Sequence, residues 1–341
     1  MTIFFNLALY HTCSNPDNRY TKQTHIMSNK ATLKSHRRVI ARLVAAAFLT
    51  ALLHASAAAW GGEGHHIVTM IAEKHLSATA RQQINDILTN NHLCGGGATV
   101  LNKMLCASTW PDDSRNTTHP QTYNWHFVDI SLRNKGYDPL RDCEPEDQDV
   151  KGKCGIYGLD HALKILRKEI TDPKISRAQA LMFVIHIVGD LHQPLHTVKE
   201  KTGGNFYFVQ YFEVPSQLHK VWDSKIIGTR MLKLGKSESQ YAAMLDGGIA
   251  SAGGLASLQQ GDAVGWLNEA HAEAIGDAYE CPSASDCNGP SKWLRNEPFK
   301  SGSHTTRQLE NDYFNHNLTI IERQLQRGGA RLAKVLSDAL G

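Results

Sequence analysis

The stretch Leu181-Met-Phe-Val-Ile-His186-Ile-Val-Gly-Asp190-Leu-His192-Gln-Pro194-Leu-His196 constrains this chain more than any other. Its first half is apolar on every side, the mark of a helix buried in a core rather than lying on a surface. His186 and Asp190 are four residues apart, so they stack on one face of that helix. A buried carboxylate is costly unless it is paired or bound to a metal. Pro194 disfavours further helix and turns the chain, which re-aims His196. Taken alone, a structural His–Asp ion pair satisfies the pattern as well as a metal site does.

The rest of the chain suits a protein built around such a helix. Apolar residues three and four apart predict helices over 66–76, 79–88, 159–170 and 178–191. Residues 262–279 and 307–340 also read as helices, the last with an interruption expected at Gly328-Gly329. Strand signal is confined to Asn205–Phe212, which suits a short hairpin. Loops are expected at 94–99, 134–155, 199–204 and 281–303. With 41% hydrophobic residues the chain can bury a sizeable core. The expected fold is all-α, a single compact multi-helix domain with a short β-hairpin.

The N-terminal region has a separate character. Arg37, Arg38 and Arg42 precede an apolar run, Ala45–Ala59, that ends in three alanines. A basic region, an apolar run and small residues at its end read as a cleaved export signal. Residues 1–59 are therefore expected to be a leader, its start either Met1 or Met27, and residues 60–341 the working domain. No stretch of about 20 apolar residues exists to span a membrane, so no anchor is expected after cleavage. The leader holds seven of the 36 Lys+Arg and one of the 33 Asp+Glu, so residues 60–341 carry 29 basic and 32 acidic groups, net −3. Such a balance argues against a basic phosphate-tracking surface; a polyanionic ligand would need another source of positive charge. Beyond residue 59 the cysteines are Cys94, Cys106, Cys143, Cys154, Cys281 and Cys287. An even number in an exported chain suggests disulfides, with free buried thiols the alternative. Short spacings favour Cys94–Cys106, Cys143–Cys154 and Cys281–Cys287, although other connectivities are open.

Three further segments repeat the chemistry of the buried helix. His219-Lys-Val-Trp-Asp223 again sets His and Asp four apart; Asn124-Trp-His126-Phe-Val-Asp129 sets them three apart; Trp110-Pro-Asp112-Asp-Ser-Arg115 adds a carboxylate and a cation. Nitrogen and carboxylate oxygen are what zinc accepts, and hydrolytic zinc sites use mixed His/Asp sets with an open position. Several such sets imply more than one metal, an arrangement suited to phosphoester displacement.

With Trp60-Gly-Gly-Glu-Gly-His65 at the expected new N-terminus, the ordered motifs become specific. W-P-D-x-x-R, N-W-H-F-V-D, H-x-x-x-D-L-H-Q-P-L-H, G-G-N and L-H-x-x-W-D follow in turn. In this order they resemble the S-one/P-one (S1/P1) family of zinc-dependent single-strand nucleases, strongly from Trp60 to about Asp223 and more loosely beyond. The resemblance implies three zinc ions per chain. Asp112, His126, His186 and Asp190 would hold the first; His196, His219 and Asp223 the second. Trp60, through its free amine and carbonyl oxygen, would hold the third with His65 and a bridging Asp190. It implies hydrolysis of single-stranded DNA and RNA to 5′-phosphorylated products, with 3′-nucleotidase activity as a companion, by a secreted or periplasmic monomer. In that scheme Asp112 orients the attacking water, Arg115 steadies a phosphoryl oxygen, and Asp129 holds Arg115. Phe127 and Asn205 are the expected nucleobase contacts, since an aromatic face stacks on any unstacked base. Partners would be nucleic acids and nucleotides, with no stable protein partner. A zinc phospholipase C, similar in fold and ligand set, and a non-catalytic zinc-binding protein are the competing readings.

Overall fold

The computed structural model describes residues 60–144, 148–281 and 307–341, all within the unit Ala57–Gly341. They are mainly helical. The longer helices are α1 (Gly62–Lys74), α2 (Ala78–Thr89), α3 (Val100–Ser114), α4 (Gly155–Leu166) and α5 (Arg177–Asp190), followed by α6 (Ile226–Leu234), α7 (Glu238–Gly247), α8 (Ala263–Glu273) and α9 (Asn311–Leu340). None of the described helices is long and apolar enough to cross a membrane.

Helix α5 is the axis of the core. Ser176 opens it with a capping box: its hydroxyl accepts from the Gln179 N–H, and the Gln179 side chain accepts from the Ser176 N–H. From Ala180 to Asp190 every residue is buried. Helices α3, α4 and α9 pack around it, so the polar His186 and Asp190 are enclosed by apolar neighbours.

Helix α9 departs from expectation. The interruption expected at Gly328-Gly329 is absent, and one helix runs through Asn311–Leu340. Its two glycines are contact points instead. A Cβ at Gly329 would lie 2.4 Å from Cγ2 of Ile71 on α1, so glycine there lets the two helices approach. Each glycine lowers helix propensity by about 1 kcal/mol, which the close packing offsets. Residues 307–309, expected to be helical, form strand β3 (Arg307–Leu309).

The expected hairpin is present and short. β1 (Phe208–Tyr211) pairs antiparallel with β2 (Val214–Gln217), from Phe208↔Gln217 to Tyr211↔Val214. Its two-residue turn, Phe212-Glu213, takes positive φ at both positions, the twist that suits a tight hairpin. β3 adds to the other side of β1 in parallel, giving the order β2-β1-β3.

Disulfides join Cys94 to Cys106 and Cys143 to Cys154, the pairs that the short spacings favoured. The second ties the end of the short helix Pro139–Asp142 to the start of α4. Cys281 is also disulfide-bonded, and Cys287 lies outside the described residues, as do residues 1–59, expected to be a leader.

Candidate metal centre

Six segments deliver side chains to one buried place. Helix α5 contributes His186 and Asp190, and the last turn of α3 contributes Asp112. A 3-10 turn, Pro120–His126, ends on His126, and a second, Pro194–Thr197, carries His196. His219 lies in the turn Leu218–Lys220, and Asp223 in the π-helical turn Val221–Lys225 that continues it. Helix α1 supplies His65, one turn beyond Trp60, whose side chain is fully buried.

Asp190 stands at the middle. Its carboxylate lies 3.0 Å from His186 Nε2, 3.3 Å from His65 Nε2, 3.5 Å from His126 Nδ1 and 3.3 Å from His196 Nδ1. Asp112 Oδ1 is 3.4 Å from His126 Nδ1 and 3.8 Å from His186 Nε2. On the other side His219 Nε2 is 3.1 Å from Asp223 Oδ2, and His196 Nε2 is 3.7 Å from Asp223 Oδ1. Three groups thus have donor atoms close enough to share an ion: His65/Asp112/His186, His126/His186/Asp190 and His196/His219/Asp223.

The backbone orients the imidazoles. His186 Nδ1 sits 2.7 Å from the Ser108 carbonyl, His196 Nδ1 3.0 Å from that of His126, and His219 Nδ1 2.6 Å from that of Gly203. In the neutral imidazole an Nδ1–H donating to such a carbonyl leaves Nε2 as the lone-pair nitrogen, the form in which a histidine binds metal. Gly203 can serve because residues 201–204 all take positive φ, a left-handed turn in which its carbonyl meets His219. Gln193, fully buried, donates its amide to Asp223 and accepts from the Leu195 N–H.

The donor set fits metal. Both nitrogens of His65, both carboxylate oxygens of Asp190, Asp112 Oδ1, His126 Nε2 and His196 Nε2 are buried without a hydrogen-bond partner. So many orphaned polar atoms in one core, carboxylate oxygens among them, are hard to sustain without a cation. Burial pushes the Asp190 carboxyl up, but the facing His186 and His196 imidazoles prevail and hold it well below the usual carboxylate range. Asp223, opposed by burial but facing His219 and His196, and Asp112, opposed by burial but facing His186, His126 and Arg115, are lowered in the same way. His196 is raised to about 10: burial lowers it, but Asp190 and Asp223 outweigh that. Burial pushes His126 down to about 4. The carboxylates are therefore anionic and ready to ligate, and mixed His/Asp donors suit zinc.

A cleft of about 810 Å³ opens above the centre. His126, His196 and His219 reach it, together with Arg115, Phe127, Asp129 and Asn205. Arg115 is buried, with Nη1 3.5 Å from Asp112 Oδ1 and its guanidinium 5.6 Å from the centre of the Tyr123 ring. Phe127 is half-buried and meets Tyr123 edge to face. Asn205 is held by a 2.8 Å bond from its amide to the Thr202 carbonyl. The proposed site residues thus gather at this centre or its cleft, apart from Trp60, whose indole donates 2.8 Å to the Gly189 carbonyl behind it; of the cysteines, Cys154 lines the cleft.

His192, inside the same motif, faces the opposite way. Its Nδ1 meets the Val188 carbonyl at 2.7 Å and its Nε2 accepts from the buried Arg331 at 3.0 Å. Burial and that guanidinium push it down to about 3. Gln193 and the carbonyl of Ser108 went unnoticed in the sequence, because a backbone acceptor has no residue signature and Gln193 marks only a turn.

Fold and site together define a helical protein with a buried His/Asp centre made for metal, beneath a cleft. The sequence model for the S1/P1 nuclease family matches residues 60–341, and the chain belongs to that family. It is 26% identical over 294 residues to Endonuclease 1 of Arabidopsis thaliana (83% of this chain, 87% of the relative). It is 27% identical over 292 residues to Nuclease P1 of Penicillium citrinum (83% and 98%). It is 30% identical over 172 residues to Nuclease S1 of Aspergillus oryzae (49% and 54%).

Proposed function

We propose that this chain, exported and freed of residues 1–59, is a monomeric three-zinc phosphodiesterase. It hydrolyses single-stranded DNA and RNA to 5′-phosphorylated products and also acts on 3′-nucleotides. One observation carries the reading: unpartnered imidazole nitrogens and carboxylate oxygens converge at the floor of a cleft that also presents Arg115, Phe127 and Asn205. Family membership points the same way. The match beginning at residue 60 and the burial of Trp60 support a working domain that starts there, and the disulfides suit a secreted or periplasmic protein.

Asp112, His126, His186 and Asp190 would hold one zinc and His196, His219 and Asp223 a second. The amine and carbonyl of Trp60, with His65 and Asp190, would hold the third. Zinc supplies Lewis acidity toward phosphoryl oxygens and makes hydroxide available near neutral pH. Asp112, the most exposed of the ligand carboxylates, orients the attacking water and takes its proton. Arg115 presents its guanidinium to a phosphoryl oxygen as charge builds there, and Asp129 holds that guanidinium in place. Phe127 stacks on a base while the Asn205 amide reads its polar edge. Stacking requires an unpaired base, so duplexes are poor substrates.

Single-stranded DNA, RNA and phosphatidylcholine should be digested with one preparation of the 60–341 protein, with and without chelator. Nucleic acids should fall to 5′-phosphorylated products, and chelator should stop it. Release of phosphocholine with nucleic acid left intact would replace the nuclease with a phospholipase, and no hydrolysis of any of the three would leave a zinc-binding protein.

A further inference from the structure

Lys199, three residues beyond His196, lines the same cleft as Arg115, Phe127 and Asn205. Its backbone is fixed: the N–H donates to the Ile130 carbonyl at 3.0 Å, and Ile130 and Val198 form a parallel bridge. Lys199 therefore projects from a rigid segment beside Asp129. Its side chain is exposed, and among the described residues its ammonium makes no hydrogen bond or ion pair.

The other charges of the cleft have local partners. Arg141 pairs with Asp142 at 2.6 Å, Glu144 pairs with Lys153, and the Lys151 ammonium lies 5.1 Å from the centre of the Tyr123 ring. Arg115 faces Asp112. Asp129 has a partner of its own, so among the described residues that line the cleft Lys199 is a cation with no ion pair or hydrogen bond. Solvated surface lysines are common; this one shares its walls with the proposed base contacts and the proposed phosphoryl contact. The cleft also lies in the upper part of the size range of small-molecule sites, with room beyond one reacting phosphate.

We infer that Lys199 binds a backbone phosphate flanking the scissile one and so sets a preference for longer strands. The inference rests on the nuclease reading. It makes Lys199 a specificity-determining residue that a substrate with a single phosphate does not need.

The test compares wild type with Lys199→Ala, Lys199→Glu and Lys199→Arg. Substrates are a dinucleoside monophosphate and a long single-stranded oligonucleotide, each assayed across a salt series. Binding of a phosphorothioate strand is followed in parallel by fluorescence anisotropy. Lys199→Ala should raise KM for the long strand roughly threefold to tenfold at low salt, with kcat unchanged, and make its log–log salt dependence shallower by about 0.7. Dinucleotide kinetics should not change, Lys199→Glu should lose more, and Lys199→Arg should recover most of the effect. Equal losses on both substrates, or no change on either, would overturn the inference. Wild type that binds the strand with a Lys199-dependent salt slope but cleaves neither substrate would sink the nuclease reading and leave the phosphate site. Wild type that neither binds nor cleaves overturns both.

Discussion

Gly189→Ala separates the His65 side of the centre from the rest. A Cβ at position 189 would meet His65 Nδ1 at 2.9 Å and Cε1 at 3.2 Å, with the Trp60 indole 3.9 Å away. Ordinary contact begins near 3.4 Å, so the imidazole must retreat by about 0.5 Å. Metal–ligand distances tolerate only about 0.2 Å. Helix α1 has little room to absorb the shift, because Ile71 farther along it already lies against Gly329 of α9. The penalty should therefore fall on the site more than on the fold. Alanine improves helix propensity by up to about 1 kcal/mol, against an overpacking cost of about 1–3 kcal/mol. A net loss of at most about 3 kcal/mol lowers Tm by no more than about 12 °C. Elemental analysis should find one zinc ion fewer per chain than the three proposed for wild type, with activity down about tenfold or more. Melting of the chelated proteins supplies the fold control. Wild-type zinc content and wild-type rate in Gly189→Ala would refute the assignment of His65 as a ligand.

Further outcomes follow from the same geometry. Arg115→Ala should keep its full zinc content yet lose about two to three orders of magnitude in kcat; metal loss with the rate would show a structural role instead. Asp190→Ala should lose two metals, since its carboxylate lies within 3.5 Å of four imidazoles; full zinc content by elemental analysis would remove it as a bridge. An extension fused directly before Trp60 should abolish activity while a C-terminal tag does not. An amide nitrogen is a poor ligand, whereas a free α-amine with a pKa near 8 can lose its proton to a metal. An extended protein with full zinc and full rate would rule that out.

Much of the centre was legible in the sequence because its parts are local. His186 and Asp190, or His219 and Asp223, share a helix face by spacing alone, and an all-apolar α5 announces burial. What escaped depends on neighbours distant in the chain. Strand β3 pairs with β1 from about a hundred residues away, and its three residues carry no alternation of their own. The glycines of α9 read as a break because propensity is a local quantity, whereas their close approach to Ile71 is not. Helix α3 was missed as a helix around Pro111, which sits inside its last turns. The left-handed turn at 201–204 looked like an ordinary glycine loop, although two of its residues, Lys201 and Thr202, are not glycine.

The carbonyls that receive the Nδ1–H groups of His186, His196 and His219 belong to Ser108, His126 and Gly203. A main-chain acceptor is the same whatever side chain it carries. Mutational drift at position 108 therefore leaves the tautomer of His186 untouched as long as α3 keeps its path. That contact is robust to point substitution at position 108 and fragile to insertion or deletion in α3, since one added residue rotates the carbonyl away. Libraries aimed at altering this enzyme should accordingly leave segment lengths alone, and keep Gly189, Gln193 and Gly203 while varying position 108.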